Sequence, residues 1–138
     1  MNLLPNFPTL FSLEHKTSHK GNITFLENPN LENFSNRRSF WISQVPDGSV
    51  RGVHAHRKEN QVLVCLQGEV EVLLEDLKGA KFEFRLQSEG EGLFVPKLHW
   101  QQIKFLNNPI LMVFADKEYS EADYIRDKKI FDALRTND

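Results

Sequence analysis

Apolar and polar positions alternate along much of this chain. The clearest stretch is Lys81-Phe82-Glu83-Phe84-Arg85-Leu86, whose period of two predicts a strand with one buried face over 81–87. Comparable β-rich segments cover 22–27, 38–45, 50–56, 61–66, 69–76, 93–96, 99–106 and 110–115. Turn chemistry separates several of them, at Pro46-Asp47-Gly48, Lys78-Gly79 and Glu89-Gly90-Glu91-Gly92. Proline presets φ in such turns and glycine accepts positive φ. Only the tail changes period: Ile130, Phe131 and Leu134 share one helical face, predicting a short packing helix over 127–135. The first twenty residues read as an arm or an edge strand. Strands this short and evenly spaced predict an all-β sandwich or barrel, a single domain over 1–138.

Composition narrows the function classes. A chain of 138 residues can bury one sizeable core. Lys+Arg number 17 against 19 Asp+Glu, so no global field draws nucleic acid or an anionic membrane, and neither is expected as a partner. With no basic segment leading into an apolar one and no apolar span, the expected setting is cytoplasmic. Cys65 is the single cysteine; inside Val62-Leu63-Val64-Cys65-Leu66 it reads as a buried, inert small hydrophobe. The 11 Phe, against 2 Tyr and 2 Trp, read mostly as core. His15 and His19 fall in the ambiguous amino-terminal region and read as solvated.

The chemistry concentrates in Arg51-Gly52-Val53-His54-Ala55-His56. Two residues apart on a strand, His54 and His56 project from the same face. Imidazole titrates near neutral pH and is also a common metal ligand, so the pair suggests either a metal site or a proton-transfer site. Arg51, three residues before His54, lies on the opposite face of an ideal strand. A turn after Gly48 or a bulge near Gly52 would re-aim it towards an anionic ligand as a planar donor.

The spacing Gly48, five residues, His54-Ala55-His56, four residues, Gln61, six residues, Gly68 resembles the first cupin motif, and Gly90, five residues, Pro96 resembles the start of the second. In metal-binding cupins, positions 61 and 101 would be glutamate and histidine. Here they are Gln61 and Gln101, neutral amides that serve a transition metal poorly. No metal or other cofactor is therefore expected. Strand alternation puts His99 on the face of Gln101, making it a conceivable surrogate ligand, with Trp100 opposite as core or as a stacking wall.

Over 21–131 the chain is similar, more specifically, to the nucleotide-sugar 3,4-ketoisomerases, metal-independent cupins acting on dTDP-4-keto-6-deoxyglucose. The resemblance rests on Arg51-Gly52-Val53-His54-Ala55-His56, on Gln61 through Gly68, on Gly92-Leu93-Phe94-Val95-Pro96 with Trp100, and on Tyr119 through Asp127. It implies a cupin jelly-roll barrel, a homodimer with exchanged amino-terminal strands, and a dTDP-linked keto-sugar substrate. The pathway implied is the making of deoxysugars for surface polysaccharide or glycoprotein. Moving a ketone from C4 to C3 through an enediol requires groups that accept and donate protons near neutral pH, which His54 and His56 supply. One would shuttle the carbon-bound proton; the other, or a nearby hydroxyl, would serve the oxygens. Arg51 and Arg38 are candidates for the pyrophosphate, and Gln61, Trp41, Gln101 and His99 for further substrate contacts. Tyr124 and Arg126 read as holding the tail against the barrel. The chain departs from the family at Phe40 and Trp41, where tyrosines are usual, and at Gln101, where histidine or arginine is common. Two alternatives stay open: a non-catalytic cupin that binds a nucleotide sugar or partners a sugar-modifying enzyme, and a 3,5-epimerase-like cupin.

Overall fold

Two long antiparallel strands form the spine of the molecule in this computed structural model, which describes residues 4–27 and 31–135. They are β6 (Gln61–Glu75) and β9 (Trp100–Ala115), and they pair along nearly their whole length. Each was expected as two strands, 61–66 with 69–76 and 99–106 with 110–115. The structure carries both strands through, with register shifts between Cys65 and Gln67 and between Gln67 and Glu69. Positive φ at Gly68 (70°), Asn107 (61°) and Asn108 (50°) absorbs the irregularity. A Cβ on Gly68 would stand 2.6 Å from both the Asn107 carbonyl oxygen and the Pro109 Cα, so only glycine fits.

The bend hands each spine strand to two sets of neighbours. Toward its start, β6 pairs with β8 (Glu91–Val95), and beyond the bend with β7 (Lys81–Leu86). Early in β9 the partner is β5 (Val50–His56), and late in β9 it is β4 (Arg38–Ile42). Strand β1 (Thr9–Ser12) is an edge strand on β8, so part of the amino-terminal region does join the sheet. Strands β2 (Glu14–Ser18) and β3 (Gly21–Phe25) form a separate two-stranded hairpin whose side chains are mostly exposed. The result is the expected all-β barrel of jelly-roll type.

The interior holds Leu63, Val72, Leu86, Phe105, Leu111 and Val113 with their neighbours. Strand β7 follows its alternation, with Phe82, Phe84 and Leu86 turned inward. The run 62–65 does not alternate because it is covered twice. Leu63 and Cys65 face the barrel, while Val62 and Val64 pack with Leu13, Phe34 and Phe94 on the outside. Burying Phe94 completely is worth roughly 2–3 kcal/mol. Burial pushes the Cys65 thiol up to about 11, consistent with an inert side chain.

The tail closes the structure through a 3-10 turn (Glu121–Asp123), strand β10 (Tyr124–Ile125) and helix α1 (Lys128–Ala133). Asp127 caps α1 by accepting from the Lys129 amide at 2.9 Å. The helix is shorter than the expected 127–135, and only Phe131 is buried in it, against Trp100 at 5.9 Å between ring centroids. Ile130 stays 49% exposed, because little more than one turn buries a narrow face. Trp100 is core. Among the described residues no helix is long and apolar enough to cross a membrane.

Candidate active site

The site begins with a bulge. Between Arg51 and His54, β5 advances three residues while its partner β9 advances only two, from Ile103 to Gln101. Gly52 takes up the extra residue at φ 64°, and a Cβ there would crowd the Gln101 amide nitrogen at 3.2 Å. The bulge reverses the facing that an ideal strand would give, so Arg51 and His54 line the same cavity of about 340 Å³ inside the barrel. The bulge near Gly52, the condition for re-aiming Arg51, is present. Phe40, Ile42 and Val113 supply apolar wall; Gln61, Gln101, Tyr124 and Arg126 supply polar groups.

His54 and His56 stand side by side as the strand period requires, with ring centroids 5.0 Å apart. Their surroundings differ. His54 lines the cavity, and its Nε2 lies 3.1 Å from the Gln101 amide nitrogen. An amide N–H can only donate, so this contact makes His54 Nε2 an acceptor and leaves its proton on Nδ1. Burial, then the neighbouring His56, then Arg126 pull the His54 pKa from 6.5 to about 4, with Glu121 opposing. His54 is thus an uncharged base throughout the neutral range.

His56 is buried behind the cavity wall. Its Nδ1 faces Asp123 Oδ2 at 3.2 Å, and its Nε2 faces the Gln61 amide nitrogen at 3.3 Å. Read as above, Gln61 donates to Nε2 and the Nδ1 proton goes to Asp123. Gln61 also donates to Glu59 at 2.6 Å, and Arg38 clasps both Glu59 oxygens at 2.8 and 3.3 Å. Asp123 further accepts from the Lys58 and Glu59 amides. Burial lowers the His56 pKa, although Glu59 and Asp123 pull upward. One imidazole faces ligand space; the other is fixed by a buried hydrogen-bond network.

His56, Glu59 and Asp123 are also the one cluster of possible metal ligands among the described residues, with ligand atoms within 4.8 Å of one another. The fit to a cation is poor. Arg38 already neutralises Glu59, and the Asp123 oxygens are taken up by two backbone amides and the imidazole. At the two positions where metal-binding cupins carry ligands, the glutamine amides donate to the imidazole nitrogens that would otherwise coordinate.

Three expected substrate contacts fall elsewhere. Arg38 does not line the cavity: Glu59 and the Lys117 carbonyl, at 3.0 Å, hold its guanidinium in the wall. Trp41 points outward and is 65% exposed, because β4 alternation turns Phe40 and Ile42 inward. His99 precedes β9, where Leu98 at φ 58° breaks the alternation. Its Nδ1–H donates to the Lys97 carbonyl at 2.9 Å, its ring rests 6.2 Å from that of Phe82, and it lines a different cavity.

The tail supplies what sequence reasoning missed. Pairing of Tyr124 with His56 and Ile125 with Ala55 carries the Asp-Tyr-Ile-Arg string onto the histidine strand. Tyr124 packs 4.9 Å from the His54 ring and 4.4 Å from the His56 ring, with the Arg126 guanidinium 4.3 Å over its own. Arg126 is tethered to Glu121 at 2.7 and 3.1 Å, and Tyr119 donates to the same carboxylate. These partners hold Glu121 down at about 2. The string itself was visible as a motif; its contact with the site was not. Glu59 gave no signal, and Asp123 only as a member of that string.

The family model described as "FdtA: WxcM-like, C-terminal" matches residues 7–136. A TDP-4-oxo-6-deoxy-alpha-D-glucose-3,4-oxoisomerase from Aneurinibacillus thermoaerophilus is 40% identical over 101 residues, covering 72% of this chain and 71% of the relative. The sugar 3,4-ketoisomerase QdtA from Thermoanaerobacterium thermosaccharolyticum, solved in complex with TDP, superposes with a TM-score of 0.87 at 26% identity, over 94% of this chain and 95% of that one. WlaRA, a TDP-fucose-3,4-ketoisomerase from Campylobacter jejuni, gives 0.84 at 28% identity, over 94% and 96%. By the family match over 7–136 and the 40% identity to the Aneurinibacillus relative, the chain belongs to the FdtA (WxcM-like) family of sugar-nucleotide 3,4-ketoisomerases.

Proposed function

We propose that this protein moves the ketone of a dTDP-4-keto-6-deoxyhexose from C4 to C3, with His54 as the base at carbon. The observation that carries this reading is the division of the pair: His54 alone of the two lines the cavity, uncharged, beside a polar rim. The sugar takes the place of the Gln101 amide at His54 Nε2, and that amide turns to a sugar oxygen. His54 accepts the C3 proton, leaving an enediolate, and returns a proton to C4 from the same side. His56 is a positioning residue that fixes the floor under His54. Arg51 and Arg126 face the diphosphate, Arg126 exchanging one anionic partner for another. The chain works as a homodimer, for which the exposed β2–β3 hairpin and the outward Trp41 (65% exposed) and Ile23 (66% exposed) offer a surface.

Turnover tests the reading directly. Incubated with dTDP-4-keto-6-deoxyglucose, the protein should yield a sugar whose carbonyl carbon, followed by 13C NMR, is C3. Binding without a new carbonyl signal selects the non-catalytic alternative.

The pH dependence follows from His54. A base must be deprotonated to act, so kcat/KM is expected to hold through neutral pH and to fall only as pH drops toward about 4. An acid limb centred near 6.5 contradicts this environment for His54. Because the fold depresses its pKa, protonating His54 opposes folding: stability is fully present above 6.5 and declines as pH falls through about 4. Melting curves at each pH separate the two effects.

A further inference from the structure

Isomerisation moves two protons, one between carbons and one between oxygens. His54 accounts for the first. The second needs a group that touches the sugar oxygens and can both give and take a proton. Among the described residues, the cavity wall holds few polar side chains. The amides of Gln61 and Gln101 do not exchange protons at neutral pH, and the guanidiniums of Arg51 and Arg126 stay charged. Phe40, at the start of the facing wall, has no hydroxyl. The wall includes no Ser or Thr, and its one hydroxyl is that of Tyr124. That phenol is also free. Tyr119 gives its hydroxyl to Glu121 at 2.7 Å, whereas Tyr124 has no hydrogen-bond acceptor among the described residues.

We infer that Tyr124, brought in by the tail, is a catalytic residue that carries the proton between O3 and O4. This rests on the ketoisomerase reading above. As His54 takes the C3 proton, the Tyr124 O–H protonates the O4 enediolate, giving the enediol and a phenolate. The phenolate then takes the O3 proton. The O3 enolate collapses to the C3 ketone while C4 receives its proton from the His54 imidazolium. Both side chains end as they began, and no external oxidant or reductant is needed. Arg126, 4.3 Å over the ring, stabilises the transient phenolate. Burial holds the resting phenol protonated, with Arg38 and Arg126 pulling against it.

The test is Tyr124→Phe with dTDP-4-keto-6-deoxyglucose in deuterated water. The ring and its packing on both histidines are kept. The expected result is a loss of at least ~100-fold in kcat, with KM close to that of the parent protein. Solvent deuterium should still enter C3, because His54 is intact. Unchanged kcat overturns the inference, and so does an equal loss of exchange and turnover, which marks a structural role. If the variant does not fold, difluorotyrosine at 124 keeps ring and hydroxyl but acidifies the phenol. The basic limb of kcat should then move to lower pH, and an unmoved limb overturns the assignment. A parent protein that leaves the sugar unchanged overturns the underlying reading, and this one with it.

Discussion

His54→Asn is expected to lower kcat by at least ~100-fold while TDP binding stays near that of the parent protein. Asparagine is shorter than histidine but polar, and its side-chain atoms overlay the Cγ end of the imidazole, so the 3.1 Å contact of Nε2 with Gln101 is given up. The cavity keeps a polar side chain at 54 and loses the proton acceptor. Proton transfer by a placed side chain contributes typically ~10²–10⁴-fold, so the change is large if His54 meets carbon. His56→Asn should behave differently. His56 is buried against Asp123 and Gln61, so its replacement costs stability as well as rate. Steady-state kinetics with TDP titration on both variants checks this. A His54→Asn rate within tenfold of the parent removes His54 from the mechanism.

The second large effect is thermodynamic. Glu59→Ala is expected to cost about 3 kcal/mol of folding stability, read as a lower denaturation midpoint at unchanged slope. Glu59 is 3% exposed and accepts from Arg38 at 2.8 and 3.3 Å and from Gln61 at 2.6 Å. Removing it leaves a guanidinium only 19% exposed with one backbone carbonyl as hydrogen-bond acceptor, besides the Phe40 and Tyr119 rings it lies over. Breaking a buried pair on one side is costly because the surviving charge is left uncompensated. Replacing both members, Arg38→Met with Glu59→Leu, should recover most of the loss. A cost below 1 kcal/mol for Glu59→Ala would show that water reaches Arg38 and that the wall is not closed. The same experiment decides whether Arg38 is wall or ligand, since a diphosphate contact would also weaken TDP binding in Arg38→Met.

How much of this was legible in the chain depends on the range of each interaction. Alternation placed β7 to within a residue, because one of its faces is buried and the other wet. The same logic set His54 and His56 on one side. Gly52 announced the possibility of a bulge, though only the pairing of Arg51 with Ile103 and of His54 with Gln101 shows that it occurs. The division at 66–69 was not real: Gly68, at positive φ, is a bend within one strand. Trp41 and His99 were misplaced for local reasons, Trp41 by the inward turn of Phe40 and Ile42 and His99 by the irregular residue before it. Glu59, Asp123 and Tyr124 were beyond sequence reasoning for a different cause. Asp123 and Tyr124 meet His56 because the tail, far along the chain, returns to pair with β5, whereas Glu59 lies three residues beyond His56, just past the end of that strand. No periodicity records such a meeting. The family string containing Asp123, Tyr124 and Arg126 marked the segment without saying what it touches.

The central claim is that His54 moves a proton from C3 to C4 of a keto-sugar. The most direct measurement follows dTDP-4-keto-6-deoxyglucose in deuterated water by NMR with the unmodified protein. The account predicts a C3 carbonyl in the product, with deuterium at C4 wherever the His54 proton exchanges with solvent before it is returned. Deuterium at C3 or C5 with inverted configuration and the ketone still at C4 contradicts the account in favour of epimerisation. An unchanged, unlabelled sugar in the presence of demonstrated binding contradicts catalysis altogether.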